Sequence, residues 1–427
     1  MWTLLKNLPL PTYFDHAAST PMDEEALITL TESYRNDYPN PSAKFRWATE
    51  LKNEWEKSKT FLSQYLSPKL LKHRVTITSS VTEANNLFIY SLLRQIEANE
   101  NESLTLFYDE SDHPSLVQAL TVWRSRFPDV KMKMVSFPRR DFYELGQSDF
   151  EEVVLSFLQK NQESTKGALL LSWVHGQSGH QCPLQFSSSF FTQLHHLFPL
   201  GFHLFLDITQ GLGKIPFDLE FPTHHEHIQV SLSLSGHKSG GPKGIGALMT
   251  PLTFPLSPLL IGGDHEEGAR ASTLNYPLLK SWVKALNNLD PYRNYQHGLE
   301  LAEYFSSKLQ LILQEKSLEK HCWFVFPQKM KGPFSTHSPF IHLIAVWPYP
   351  SDVIVRHLEM HRIYLATSTA CSGPISKSHL PFIHMGIEEK YHQHLLRISF
   401  SPHTQKTDID ILVQTLIMTL QELVAIF

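Results

Sequence analysis

Cysteine is scarce in this chain of 427 residues: only Cys182, Cys322 and Cys371 occur, far apart. Three scattered thiols with no CxxC pair exclude a disulfide framework and offer no zinc spacing, so the expected setting is reducing and cytoplasmic. Long apolar runs are also missing, and none approaches the roughly 20 residues of a membrane-spanning helix. The opening segment, Met1 to Phe14, carries Lys6, Pro9 and Pro11 without a continuous apolar stretch, and does not read as a signal peptide. Nor is there a basic excess: 37 Lys and Arg stand against 42 Asp and Glu, a net charge of −5. Without a basic cluster, neither nucleic acid nor an anionic membrane is an expected partner. Histidine, by contrast, is abundant at 24 residues, so the net charge depends on pH near neutrality. Hydrophobic residues at 42 % and charged residues at 19 % describe a globular chain. Its length suits one large domain and a smaller one.

Short apolar runs at Val75–Thr78, Leu104–Tyr108, Met132–Ser136, Ala168–Trp173 and Leu204–Leu206 are separated by helix-length segments. That alternation predicts an α/β domain with a mostly parallel sheet. Beyond about Tyr276 the pattern turns to long helices over Leu278–Leu289 and Leu299–Gln314, fewer strands, and a last helix over Asp408–Ile426. The strands expected there are Cys322–Phe326, Phe340–Val346 and Leu396–Phe400. The expected division is a large α/β domain over 16–276 and a smaller α+β domain made of 1–15 and 277–427. Repeats and low-complexity tracts are absent.

Glycine is also sparse, at 19 residues, yet ten of them fall between Gly211 and Gly268. Glycine concentrates where the backbone turns tightly or approaches a ligand; a run of connecting turns is the usual explanation, but the strand-terminal Asp and the Lys that go with this cluster favour a site. In this stretch the segment Ile228–Ser235 alternates in polarity, as a strand half exposed on one face does. It runs into Gly236, His237 and Lys238, with Gly240, Gly241, Gly244 and Gly246 close behind. A lysine boxed in by glycines at a strand end is set over a site, and a desolvated amine near other cations forms a Schiff base with an aldehyde. Pro242 after Gly241 excludes a phosphate-binding P-loop, and the Gly176–His180 stretch falls short of a nucleophile elbow.

Upstream, Asp207 ends an apolar strand. Such a residue is commonly a turn or helix cap, but a buried carboxylate needs a positive partner, and the protonated pyridine of pyridoxal phosphate is one. The Val75–Asn86 stretch reads as a strand, a hydroxyl-rich turn and a helix start, with Ser80 and Glu83 at capping-box spacing. Taken alone, an ordinary capped helix is the plainer explanation of that spacing; an anion cup for a phosphate is the other.

Taken together, these motifs resemble the cysteine desulfurases, within the class V aminotransferase-like branch of fold-type-I enzymes that use pyridoxal phosphate. The resemblance runs through Tyr13–Pro21, Asn40–Ser42, Thr78–Asn86, Asp112–His113, Asp207–Gln210, Ser235–Gly246, Gly268–Asn275, Ala370–Ser372 and Arg397–Phe400. It implies a large domain with a mostly parallel seven-stranded sheet flanked by helices, plus a smaller α+β domain. It also implies that Lys238 holds pyridoxal phosphate covalently, that His113 stacks on its ring, and that Asp207 and Gln210 contact its nitrogen and oxygen. Val81, Thr82, Ser235 and His237 would hold the phosphate, with Thr273 reaching it from the partner in a homodimer. Arg397 would clamp the carboxylate of L-cysteine, and Cys371 would take the sulfur as a persulfide, leaving L-alanine. A sulfur acceptor or an iron–sulfur scaffold protein would be the downstream partner. Cys182 and Cys322 read as inert buried thiols.

Three departures stand out. The asparagine expected beside the ring oxygen is replaced by His175 or Gly176. Ser401, Pro402, His403 and Thr404 replace a Gly-Arg-x-Thr run, and the Asp264–Gly268 turn reverses one charge. A selenocysteine lyase, a C–S lyase, an aminotransferase or a non-catalytic scaffold therefore remain the alternatives. His224–His227 reads as polar residues before a strand rather than as a metal site.

Overall fold

The computed structural model describes residues 12–99, 102–137, 147–219, 227–326, 336–367 and 380–426. After a two-residue strand, β1 (Thr12–Tyr13), come β2 (His73–Thr78), β3 (Leu104–Tyr108), β4 (Met132–Ser136) and β5 (Lys166–Ser172). Next are β6 (Gly201–Asp207), β7 (Ile228–Ser235) and β8 (Gly246–Pro251). Strands β2 to β8 form one sheet in the order β2-β8-β7-β6-β5-β3-β4. Only the pairings of β8, with β2 and β7, are antiparallel. The mostly parallel seven-stranded sheet is therefore present, with β8 as its reversed strand.

Successive side chains of a strand point to opposite faces, so a strand apolar at every position has to be covered twice. In β5, Ala168 and Leu170 pack with Leu87, Phe88 and Leu92 of the helix Val81–Glu97. Leu169 and Leu171 join the opposite cluster, with Val154 and Leu158 of the helix Gln147–Asn161 and Phe190 and Leu194 of the helix Ser188–Leu197. Each fully covered Leu or Phe contributes about 2 kcal/mol, and the sheet is a firm base for whatever its strand ends carry.

One strand departs from its sequence reading. The alternation in β7 predicted a face open to solvent, yet Ser231, Ser233 and Ser235 are at most 1 % exposed. β7 lies between β6 and β8, and the helix Val81–Glu97 packs over it. Alternating polarity here marks small hydroxyl side chains under a helix, and Ser231 Oγ is satisfied 2.8 Å from His203 Nε2.

The later chain supplies β9 (Trp323–Phe324), β10 (Ile341–Ala345), β11 (Ile363–Tyr364), β12 (Ala366–Thr367) and β13 (Leu395–Ser399). Four of these make an antiparallel sheet in the order β12-β13-β10-β9, while β1 pairs in parallel with β11. The helix expected from Leu299 begins at Pro291 instead, because Asp290 Oδ1 accepts the Tyr292 and Arg293 amides at 3.0 and 3.1 Å. Its polar first turns carry no apolar period, so the pattern concealed them. Among the described residues, no helix is long and apolar enough to cross a membrane.

Candidate active site

Ligands of open α/β sheets bind beyond the carboxyl ends of the strands. At that edge the register sets Ser172, Asp207 and Ser233 side by side on β5, β6 and β7. Asp207 is 7 % exposed. Its Oδ1 accepts the Thr209 amide at 3.0 Å and its Oδ2 accepts Asn85 Nδ2 at 3.3 Å. Both donors are neutral, and among the described residues no Lys or Arg pairs with it. Close by in sequence or contact, Asn85 Oδ1, Thr209 Oγ1 and Gln210 Oε1 are buried without hydrogen-bond partners. A buried carboxylate surrounded by unsatisfied polar atoms fits an organic cation carrying its own polar substituents.

β7 runs directly into the turn Gly236–Lys238. A Cβ on Gly241 would meet the Trp282 ring at 2.6 Å, so only glycine lets this turn close on that indole. Trp282 Nε1 donates to Ser239 Oγ at 3.1 Å, and the His237 carbonyl accepts from the Thr20 amide and hydroxyl at 3.1 and 3.0 Å. The turn bearing Lys238 is thus pinned from two sides. His237 Nδ1 lies 3.4 Å from Ser19 Oγ, and burial with the charges of Lys238, Lys243 and Lys214 lowers its pKa to about 4.

His113 caps the helix Pro114–Arg126, its Nδ1 accepting the Ser115 amide at 3.1 Å and lying 2.8 Å from Ser115 Oγ. Its ring is accessible, yet the surrounding protein and the Lys238 charge hold its pKa below the ordinary histidine value, with Asp207 opposing. His113, Lys238 and Asp207 therefore lie in one another's electrostatic field.

The hydroxyl-rich turn follows β2. Ser80 Oγ accepts the Glu83 amide at 3.2 Å, as the capping spacing predicted. The return bond goes elsewhere: Glu83 Oε2 accepts from the Ser79 amide and hydroxyl at 2.7 and 2.6 Å. Arg270 pairs with Glu83 at 2.9 Å. Burial opposes ionisation of Glu83, but the hydrogen bonds from Arg270 and Ser79 outweigh it and hold the carboxyl below its usual range. Gly246 lies beneath, where a Cβ would fall 2.6 Å from the Ser80 carbonyl carbon and 2.8 Å from the Val81 nitrogen. Val81 and Thr82 open the helix, where unsatisfied amides suit an anion.

Thr273 is not drawn into this cluster within one chain; it is exposed, between the turn His265–Gly268 and the helix Tyr276–Asn287. The reversed charge nearby, Glu267, is met by Arg74 at 3.0 Å.

Arg397, 3 % exposed on β13, gives Nη2 to Asp15 Oδ1 at 2.7 Å and Nη1 to the Gly176 carbonyl at 3.1 Å. Gln177 Oε1 stands 3.4 Å from Nη1, while Nε is buried without a partner. Gly176 and His175 behave differently from each other. A Cβ on Gly176 would come 3.2 Å from Gln210 Nε2, so the Gln210 amide fills the space a side chain there would use. His175 accepts the Ser178 amide at Nδ1, 3.2 Å, and donates Nε2 to the Ser111 carbonyl, 2.9 Å. Both ring nitrogens are thereby engaged, which deprives the neighbouring group of Asp109, Asp112 and His175 of an imidazole lone pair for a metal.

Cys371 lies outside the described residues, as do His224 and His225. Cys371 follows Thr367 by four residues, and Ala366 of the same strand, β12, pairs with Arg397. Cys182 and Cys322 are buried, and burial pushes the Cys322 thiol up to about 12. Sequence reasoning missed Asp15 as the partner of Arg397, and it passed over Lys214, although that residue ends the Asp207–Gly213 run. Lys214 is buried beside Lys238, and burial with the Lys238 charge lowers its pKa to about 7.

Residues 12–278 match the aminotransferase class-V family, and the chain belongs to that family. The relatives it is similar to include cysteine desulfurases. It is 24 % identical over 431 residues to the cysteine desulfurase IscS of Rickettsia bellii, covering 99 % of this chain and 94 % of that one. It is 28 % identical over 265 residues to a cysteine desulfurase of Gluconacetobacter diazotrophicus, covering 62 % of this chain and 60 % of the relative. In that second match the chain spans about three-fifths of the relative's length. Among solved structures, a NifS-like protein has a TM-score of 0.73 at 20 % identity, covering 97 % of this chain and 99 % of that one. The apo structure of a cysteine desulfurase from Thermococcus onnurineus NA1 also has a TM-score of 0.73, at 16 % identity, covering 96 % and 95 %. The resemblance carried by the motifs is borne out, and the fold is fold type I.

Proposed function

We propose that this protein is a cysteine desulfurase that uses pyridoxal phosphate, converting L-cysteine to L-alanine and placing the sulfur on Cys371. The observation that carries the reading is a buried Asp207 without a cationic partner in the same field as Lys238 and His113. The cofactor, when bound, supplies an electron sink for the bond changes at the substrate's α-carbon.

The chain's own residues do the rest. Asp207 holds a positive ring nitrogen, Gln210 offers its unpaired Oε1 to the same group, and Val81, Thr82, Ser235 and His237 hold the phosphate. Lys238 Nζ fixes the cofactor and afterwards carries the α-proton, with His113 as a second proton carrier. Arg397 orients the substrate carboxylate through its planar fork. The Cys371 thiolate attacks the substrate sulfur: an S–S bond forms, the Cβ–S bond breaks, and its electron pair stays on carbon until protons complete alanine. In this reading 16–276 carries the cofactor, whereas 1–15 with 277–427 brings Arg397 and Cys371. A second copy supplies Thr273, and an acceptor protein takes the persulfide sulfur in a cytoplasmic setting.

Alanine released from L-cysteine in the presence of a thiol reductant tests this, with wild type beside Cys371→Ser. Alanine from wild type alone supports desulfuration through Cys371. Equal release from both removes Cys371 from the mechanism and favours a C–S lyase, while none from either favours a scaffold or another substrate.

A further inference from the structure

A cavity of about 460 Å³ opens between the N-terminal segment, the Lys238 turn and the Ser401–Thr404 loop. Lys214, His16, Lys238 and Thr20 are on its wall. Lys214 is 2 % exposed, and among the described residues no Asp or Glu pairs with it or acts on its charge. His16 is 6 % exposed, and its Nδ1 has no hydrogen-bond partner. Two buried nitrogen bases, one a lysine without a counter-charge and one an imidazole whose Nδ1 is unpaired, therefore meet at one space beside the site lysine.

We infer that Lys214 and His16 form a second anion subsite beside Lys238, which takes the carboxylate of a small, amino-acid-sized ligand. The choice of carboxylate rests on the amino-acid reading above; the pairing of buried bases does not. A buried ammonium without a partner is costly, and an arriving carboxylate removes that cost. Cavities of this volume hold ligands of that size. Arg397 is the other cation suited to a carboxylate, but Asp15 and the Gly176 carbonyl already engage it. Lys214 faces open space without a carboxylate partner among the described residues. This makes it a docking point for the substrate before Arg397 is released from Asp15.

Above about pH 7, binding here takes up a proton. With Lys214 near about 7, the carboxylate finds it charged below that pH and neutral above it. His16, held near about 4 by burial and by the Lys214 charge, stays neutral across the same window. Lys238, His237 and His403 are the other bases near the space, and Asp23, Glu24 and Asp408 are the acids on its wall. A free aliphatic carboxylate ligand stays ionised from about pH 6 upward and so adds no pH dependence of its own.

The test is calorimetric titration of the full-length, cofactor-loaded protein with propionate, which has a carboxylate but no amine to react at Lys238. With only charged Lys214 binding, wild type is expected to bind about thirtyfold more weakly at about pH 8.5 than at about pH 6. Lys214→Met abolishes binding, and Lys214→Arg, charged throughout, binds with no pH dependence. His403→Gln keeps the wild-type pH dependence. Binding that survives Lys214→Met overturns the inference, as does a pH-dependent Lys214→Arg or a pH dependence lost in His403→Gln. Inorganic phosphate binding more tightly than propionate overturns the carboxylate assignment. Alanine release is read separately. Lys214-dependent binding without alanine sinks the desulfurase reading alone, and alanine without propionate binding sinks this subsite alone.

Discussion

Arg397 and Asp15, 382 residues apart in sequence, are joined by an ion pair of 2.7 Å. The bond ties the N-terminal segment to β13, and it occupies the guanidinium that the proposed mechanism needs for the substrate carboxylate. Substrate and Asp15 then compete for one fork. Asp15→Asn keeps the shape and removes the competing charge. In steady-state kinetics, KM for L-cysteine should fall about tenfold, equivalent to roughly 1.4 kcal/mol. An unchanged or higher KM would mean that the carboxylate does not displace Asp15. Asp15→Ala goes further and leaves a buried guanidinium short of its charge partner; urea unfolding should report a loss of about 3 kcal/mol.

Gly246 is where the phosphate-cup turn meets the sheet. A methyl group there would press on backbone atoms of Ser80 and Val81 at 2.6 and 2.8 Å, and backbone cannot swing aside as a side chain can. Gly246→Ala should cost about 2 kcal/mol of stability. It should also speed loss of pyridoxal phosphate during dialysis, followed by the visible absorbance. A variant that unfolds early yet retains cofactor like wild type would separate the glycine from the cup.

Ser80 gives a milder version of the same experiment. Its Oγ satisfies the Glu83 amide, and Ser80→Ala should lower the unfolding free energy by about 1 kcal/mol. Because Glu83 is also held by Ser79 and Arg270, the helix start should persist. A loss several times larger would show that the hydroxyl does more than cap.

The sequence made the strand-end residues legible because a parallel sheet turns local pattern into position: an apolar run followed by Asp207, or by Gly236 and Lys238, ends at the same edge. Its period was ambiguous for β7, where buried serines mimic an exposed face. The ion pair of Arg397 with Asp15, and the cavity wall shared by His16 and Lys214, join residues with no shared period, and only the folded chain brings them together. The Gly176 position was visible as a departure, but that Gln210 fills its space depends on packing across two strand ends.

Three buried histidines make stability depend on pH in a definite direction. His203, His337 and His342 are at most 5 % exposed. Burial lowers their pKa values to about 3, about 4 and about 3, with the His337 charge adding to the effect on His342. In the unfolded chain each titrates near about 6.5, so below that pH the unfolded state binds protons that the folded state refuses. Stability is therefore fully present above about 6.5 and is lost as the pH falls toward about 4. Each histidine contributes a slope of about 1.4 kcal/mol per pH unit in that window, and the three together about 4. Urea midpoints measured at intervals from about pH 7.5 to about pH 4.5 give the slope directly. His342→Gln, which cannot titrate, should lower the slope by about 1.4 kcal/mol per pH unit. A midpoint that stays level down to about pH 5 would mean that these imidazoles take up protons in the folded state.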